Sequence, residues 1–191
     1  MVETYINKLQ RQLQRRNMAT RSDEARKWLF DKAQNMKNIR WNTLGKAYDR
    51  LSIGMMYFFV YDPKTKDDLP YYDRLPLVFP IEMYSDSFLG LNLHYLAPDY
   101  RAILLDKLTD VATNKKFDDK TRLRLSYDLL AGSRKYKLFE PCLKRYLYSH
   151  MKSRFIKIEA NEWDIAIYLP VERFVKAKKD TVYRESYQAV Y

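Results

Sequence analysis

The hydrophobic period of this chain changes at Ile53, and that change constrains the fold more than any other feature of the sequence. Before it, apolar residues recur at helical spacing. In "ETYINKLQRQLQRRN", Ile6, Leu9 and Leu13 form a narrow stripe in a polar segment, which predicts a helix that packs only lightly on its own domain. A second helix is expected after Ser22, whose hydroxyl can accept from the first free N–H groups, with Asp23 and Glu24 in the positive first turn. Its apolar face is Ala25, Trp28, Leu29, Ala33 and Met36. From Ile53 the period is two. "IGMMYFFVY" reads as a strand stopped at Pro63, and "LPLVFPIEMY" as a second strand that Pro76 and Pro80 place at an edge or a bulge. Residues 85–87 are a break of hairpin length, and "FLGLNLHYL" is the third strand.

Side-chain direction in that third strand assigns Leu89, Leu91, Leu93 and Tyr95 to the core and turns Asn92 and His94 to a more polar side. His94 is therefore expected to be a surface or interface residue. No acid, nucleophile or second ligand accompanies it at a spacing that would make it a base or a metal ligand.

Beyond Leu96, Pro98 opens a helix with Ile103, Leu104, Leu108 and Val111 inward. Another helix runs up to Gly132. Pro141 opens a further one, with Leu143, Tyr146, Leu147 and His150 on one face. A hairpin is expected over 154–170, broken at Asn161–Glu162, followed by a short helix and an extended, tyrosine-bearing end. Strands grouped at 53–96 and 154–170 among helices predict an α+β fold: a small, mostly antiparallel sheet or an SH3-like barrel flanked by helices. The organisation is a basic helical N-terminal arm over 1–50 and a compact α+β domain with an extended C-terminal tail over 51–191.

Charge is unevenly placed. The net charge of +11 resides in two blocks. Residues 1–50 hold 12 Lys/Arg against 5 Asp/Glu, and residues 134–157 hold 8 against 1, while 51–133 are slightly acidic. Such clustering favours a polyanion or an acidic protein surface. The expected binding residues are Arg11, Arg15, Arg16 and Arg21 in the first block, and Arg134, Lys135, Lys137, Lys144, Arg145, Lys152 and Arg154 in the second. Each would meet a phosphate or a carboxylate, without reading sequence and with strong salt dependence. The chain has 17 Tyr, an amphipathic side chain favoured where surfaces become partly buried against a partner.

Other chemistry has little support. The 4 Gly form no phosphate-binding loop, and zinc, protease and serine-hydrolase signatures are absent. Neither a cofactor nor a metal is expected. The lone Cys142 is expected to be a buried filler in a reducing compartment. No apolar run is long enough to span a membrane, and the N-terminus lacks a signal-peptide core. One enzymatic alternative remains: Asp62 and Lys64 in "YFFVYDPK", with Asp49, Asp73 or Glu82, resemble the carboxylate-and-lysine set of metal-dependent nucleases.

The motifs Y-D-P-K, L-P-Y-Y-D-R-L-P-L-V-F-P and G-L-N-L-H-Y-L followed by a Pro-started helix resemble small proteins encoded by T4-like tailed bacteriophages, over about residues 54–108. The resemblance implies a phage protein associated with the virion and carries no catalytic residue with it. The expected function is a non-enzymatic structural or accessory protein of a tailed-phage virion. It would bind double-stranded DNA or acidic neighbouring subunits through its basic blocks at a head, neck or DNA-end location. Its partners would be other virion proteins and DNA, in the virion and, during assembly, in the host cytoplasm. The alternative is a tail or baseplate subunit with protein contacts only, using strand addition.

Overall fold

Helix α1 (Tyr5–Arg15) starts where Thr4 caps it, its hydroxyl accepting from the N–H of Asn7 at 3.2 Å. The computed structural model describes residues 4–35, 39, 44–112 and 137–189, the side chains of 107–112 and 137–139 excepted. The stripe of Ile6, Leu9 and Leu13 is buried in the main core. It packs fully rather than lightly, against residues 160–166. Helix α2 (Asp23–Gln34) is capped by Ser22, which accepts from Ala25 N–H at 3.2 Å, and it buries Ala25, Leu29 and Ala33.

Eight short strands follow among the described residues: β1 (Lys46–Tyr48), β2 (Met56–Phe58), β3 (Tyr72–Asp73), β4 (Leu77–Met83), β5 (Ser87–Asn92), β6 (Leu143–Leu147), β7 (Phe155–Ile158) and β8 (Phe174–Val175). Six of them form an antiparallel sheet in the order β1-β7-β2-β4-β5-β6, and β3 pairs with β8. The fold is α+β. The larger sheet is open, with β1 and β6 as its edges, so the barrel form of the expectation is not adopted.

Pro76 precedes β4, and Pro80 acts through a bulge and not through an edge position. The strand is central, Pro80 faces Gly90, and the register shifts between Pro80 and Glu82, which accommodates the missing N–H donor. Both faces of the sheet are covered. On one lie Met56, Phe58, Leu77, Phe79 and Leu91 in the main core. On the other lies an aromatic cluster centred on Phe59, with Tyr61, Phe88, Tyr146 and Phe155 at ring-centroid distances of 6.4, 5.9, 5.2 and 5.5 Å.

His94 does not lie at the surface as expected. His94 is completely buried, in a 3-10 turn (Leu93–Tyr95) that ends β5. The turn takes it off the alternation of the strand, and its ring lies 5.9 Å from the Phe58 ring of the main core, with Nδ1 2.6 Å from Asp73 Oδ2. Residues 143–147 are strand, where helical spacing suggests helix. Pairing from Ser87–Leu147 to Leu91–Leu143 satisfies the outer edge of β5, and that tertiary gain overrides the local period.

The hairpin expected after β7 is also absent. Glu159 and Glu162 form a capping box, followed by α4 (Trp163–Ala166), and Trp163 donates its indole N–H to Ile158 O at 2.9 Å. Helix α3 (Pro98–Ala112) begins at its proline as expected, but Ile103 points outward, 48% exposed. The C-terminal end is helical, α5 (Lys179–Gln188), where an extended tail was expected. The helix expected to end at Gly132 lies outside the described residues.

Candidate nucleic-acid interface

The loop 62–71 between β2 and β3 is fastened on two sides. Asp62 N–H donates to His150 O at 3.2 Å, and Nδ1 of His150 lies 2.9 Å from Asp62 O. Lys66 reaches both carboxylate oxygens of Asp62 at 3.2 Å. From the other side Lys176 donates to the carbonyls of Lys66, Asp67 and Leu69 at 2.9, 2.8 and 3.0 Å. An ammonium has three donors, and Lys176 commits all of them to this loop.

Two cavities flank it. The larger, about 550 Å³, has Lys64, Lys144 and Arg145 in its lining, with walls of Tyr61, Tyr71, Tyr72, Tyr95 and Tyr146. The smaller, about 400 Å³, shares Tyr61 and Tyr72 and adds Lys66, Arg74 and Lys152. Tyrosine rings thus separate two cationic hollows.

Lys144 is the unusual member. It lies half-buried on β6, its ammonium 4.2 Å from the centroid of the Tyr95 ring. No carboxylate forms an ion pair with it among the described residues. Burial lowers its pKa below the ordinary lysine value, because a desolvated ammonium is disfavoured. The neighbouring Cys142 is buried as expected, and burial pushes its thiol up to about 12, which leaves it inert.

Arg145 is engaged with its neighbours. It donates to Ser87 Oγ at 3.0 Å and Asp86 Oδ1 at 3.3 Å, and its guanidinium lies 4.9 Å from the centroid of the Tyr84 ring. The other lining carboxylate, Asp73, is buried and saturated. Its Oδ1 accepts from the N–H groups of Leu75 and Arg173, and its Oδ2 meets Asn92 Nδ2 at 3.3 Å and His94 Nδ1 at 2.6 Å. Neither acid presents an unpaired charge to the larger cavity.

The carboxylates of the nuclease alternative are dispersed. Asp62 holds Lys66, Asp49 takes a two-point contact from Arg154 at 2.6 and 3.0 Å, and Asp73 is occupied as described. Among the described residues no group of three His, Cys, Asp or Glu could hold a metal ion.

A family model described as the phage T4 terminal DNA protecting protein matches residues 1–189. The chain belongs to that family. The likeness to T4-like phage proteins, read from residues 54–108, therefore extends over nearly the whole sequence. No curated protein and no solved structure matches the chain.

In this member of the terminal DNA protecting family, the described arginines of the first block do not line the two cavities that cations of the second block line. Arg11, Arg15 and Arg16 are exposed on and just after α1, with Arg16 5.4 Å from the centroid of the Trp28 ring. Arg21 is half-buried, 3.6 Å from the buried carboxylate of Asp164. Helix α1 contributes no lining residue to either cavity. Lys144, Arg145 and Lys152 come together around loop 62–71, whereas Arg154 is paired with Asp49. Arg134 and Lys135 lie outside the described residues, as does the side chain of Lys137.

Lys66 and Arg74 do not stand out in the sequence, and Lys64 does so only beside Asp62, because all three sit in the near-neutral stretch 51–133. The paired tyrosines of "LPYYDR" are the available signal.

Proposed function

We propose that this protein holds the ends of linear double-stranded phage DNA without cutting them, as a non-enzymatic accessory protein of the virion that is present in the host cytoplasm during assembly. The observation that carries this reading is the family match over residues 1–189, since that family is described by protection of terminal DNA. The surface is suited to it. Arg15, Lys64, Arg74 and Lys152 are exposed and have no carboxylate partner among the described residues, as cations that exchange counterions for phosphates require. The arginines of α1, which line neither cavity, serve a second phosphate track or an acidic neighbouring virion subunit.

The test is digestion of a blunt-ended linear duplex by a processive exonuclease, with the purified protein titrated in and a closed circle of the same sequence as competitor. Protection of the linear DNA that the circle competes for poorly is the expected result. Unprotected DNA at low salt would remove the reading, and cleavage by the protein itself with Mg²⁺ or Mn²⁺ would replace it with the nuclease alternative.

A further inference from the structure

We infer that the cavity of about 550 Å³ between loop 62–71 and β6 seats the terminal nucleotide of a DNA end, with its 5′-phosphate on Lys144 and its base against the tyrosine walls. The inference rests on the DNA-end reading above and adds to it a specific pocket and a chemical group that is recognised.

Size comes first. The volume lies within the range of about 300–1,000 Å³ typical of small-molecule sites, which admits a nucleotide and excludes a duplex. An interior nucleotide would have to leave both its pair and its stack to enter. A terminal nucleotide is stacked on one side only and frays at the least cost. A pocket of this size therefore converts a sequence-independent cationic surface into one that distinguishes ends.

The lining supplies both halves of a nucleotide's chemistry. Every base has a π-face, so stacking on tyrosine tolerates any sequence. Tyr71 and Tyr72 stand half-exposed on the loop side, and Tyr61, Tyr95 and Tyr146 form the inner wall. Lys144 supplies the cation. An ammonium withdrawn from water without a carboxylate is unfavourable as it stands, and an incoming phosphate monoester offers the missing anion. Arg145 cannot take that place without leaving Asp86 and Ser87.

Direction is also set. On the other side of Lys144 lies a hollow of about 280 Å³ that shares Tyr71 and Tyr95 but carries Glu140 and Glu185. Those carboxylates repel a phosphate and turn it toward the side of loop 62–71, where Lys64 stands at the lining.

Three duplexes of one sequence test this with the full chain: blunt-ended with 5′-phosphates, blunt-ended with 5′-hydroxyls, and closed at both ends by hairpins. The phosphorylated duplex should bind about tenfold more tightly than the hydroxylated one, the effect of one charge-assisted contact. Lys144→Gln should abolish that ratio, weakening the phosphorylated duplex by several-fold more than the closed one, and Lys144→Arg should keep part of it.

A second readout needs no variant. Acylation of Lys144, followed by mass spectrometry, should be blocked by the phosphorylated duplex and not by the closed one. Equal binding to both open duplexes, each tighter than the closed one, would overturn the pocket and leave the DNA-end reading standing. Equal binding to all three would overturn both. Lys144→Gln weakening all three alike, or Lys144 acylated equally with open and closed DNA, would also overturn the pocket.

Discussion

Nδ1 of His94 lies 2.6 Å from Oδ2 of Asp73, with both side chains almost wholly withdrawn from solvent. The carboxylate also accepts from the backbone N–H groups of Leu75 and Arg173 and from Asn92. It thereby ties the start of β4, the end of β5 and the approach to β8 to the back of the larger cavity. Asp73→Ala would leave His94, Asn92 and two amides without their acceptor. Losing one member of a buried, hydrogen-bonded pair costs about 3–5 kcal/mol, and equilibrium urea unfolding should show a loss of that order. A change below about 1 kcal/mol, the scale of a single ordinary hydrogen bond, would mean that Asp73 does not join these elements.

Glu172 provides a pH prediction. Burial acts to raise its pKa, but the charge of Arg101, with hydrogen bonds from Arg101 and Tyr183, outweighs burial and holds the carboxyl at about 2. A depressed folded-state pKa contributes stability above the unfolded value near 4.5, and that stability is lost as pH falls toward the folded value. The difference corresponds to roughly 3 kcal/mol. Unfolding measured between pH 5 and pH 2 should lose stability progressively in wild type. Glu172→Gln should start less stable at neutral pH, because Arg101 is fully buried, and its pH profile should be flatter. Parallel profiles would refute the assignment.

The environment of His94 shows what could be read from sequence and what could not. Helix starts are legible at Ser22 and Pro98, where a cap or a proline acts within one turn, and so is the break at 85–87. His94 is misplaced because the alternation ends with β5 at Asn92, and the 3-10 turn that follows sets the direction of its side chain instead. What buries it includes Phe58 and Asp73, each about twenty or more residues away in sequence. Residues 163–169 are buried throughout, so their apolar pattern fits a strand and a helix equally, and the capping box decides for helix. The candidate site is legible only in part. Lys144, Arg145 and Lys152 stand out in a charged block, whereas Lys66 and Arg74 are brought to them by folding.

Lys176 should control the loop that walls the larger cavity. Its φ of 71° is a left-handed conformation that a non-glycine residue adopts at a cost, and there its ammonium meets three loop carbonyls. Lys176→Met keeps the stem and removes the donors. Trypsin should then cut after Lys64 or Lys66 several-fold faster than in wild type, with the global unfolding midpoint little changed, since the ammonium contacts are exposed. Unaltered cleavage would show that the Asp62–His150 and Lys66–Asp62 contacts hold the loop unaided.

Salt dependence separates phosphate contacts from protein contacts. Arg15, Lys64, Arg74 and Lys152 are exposed and unpaired among the described residues, whereas Arg154 is tied to Asp49 and Arg21 to Asp164. Only the first set is available to displace counterions without breaking an internal ion pair. Replacing those four with Gln should weaken duplex binding at low salt and reduce the slope of log K against log salt by about 3 to 4, close to one unit for each phosphate no longer neutralised. Arg154→Gln and Arg21→Gln together should leave the slope unchanged and lower stability instead, because Asp164 is buried. Filter binding or fluorescence anisotropy between 50 and 300 mM salt measures both. A slope unaltered by the fourfold replacement would assign those cations to neighbouring protein subunits.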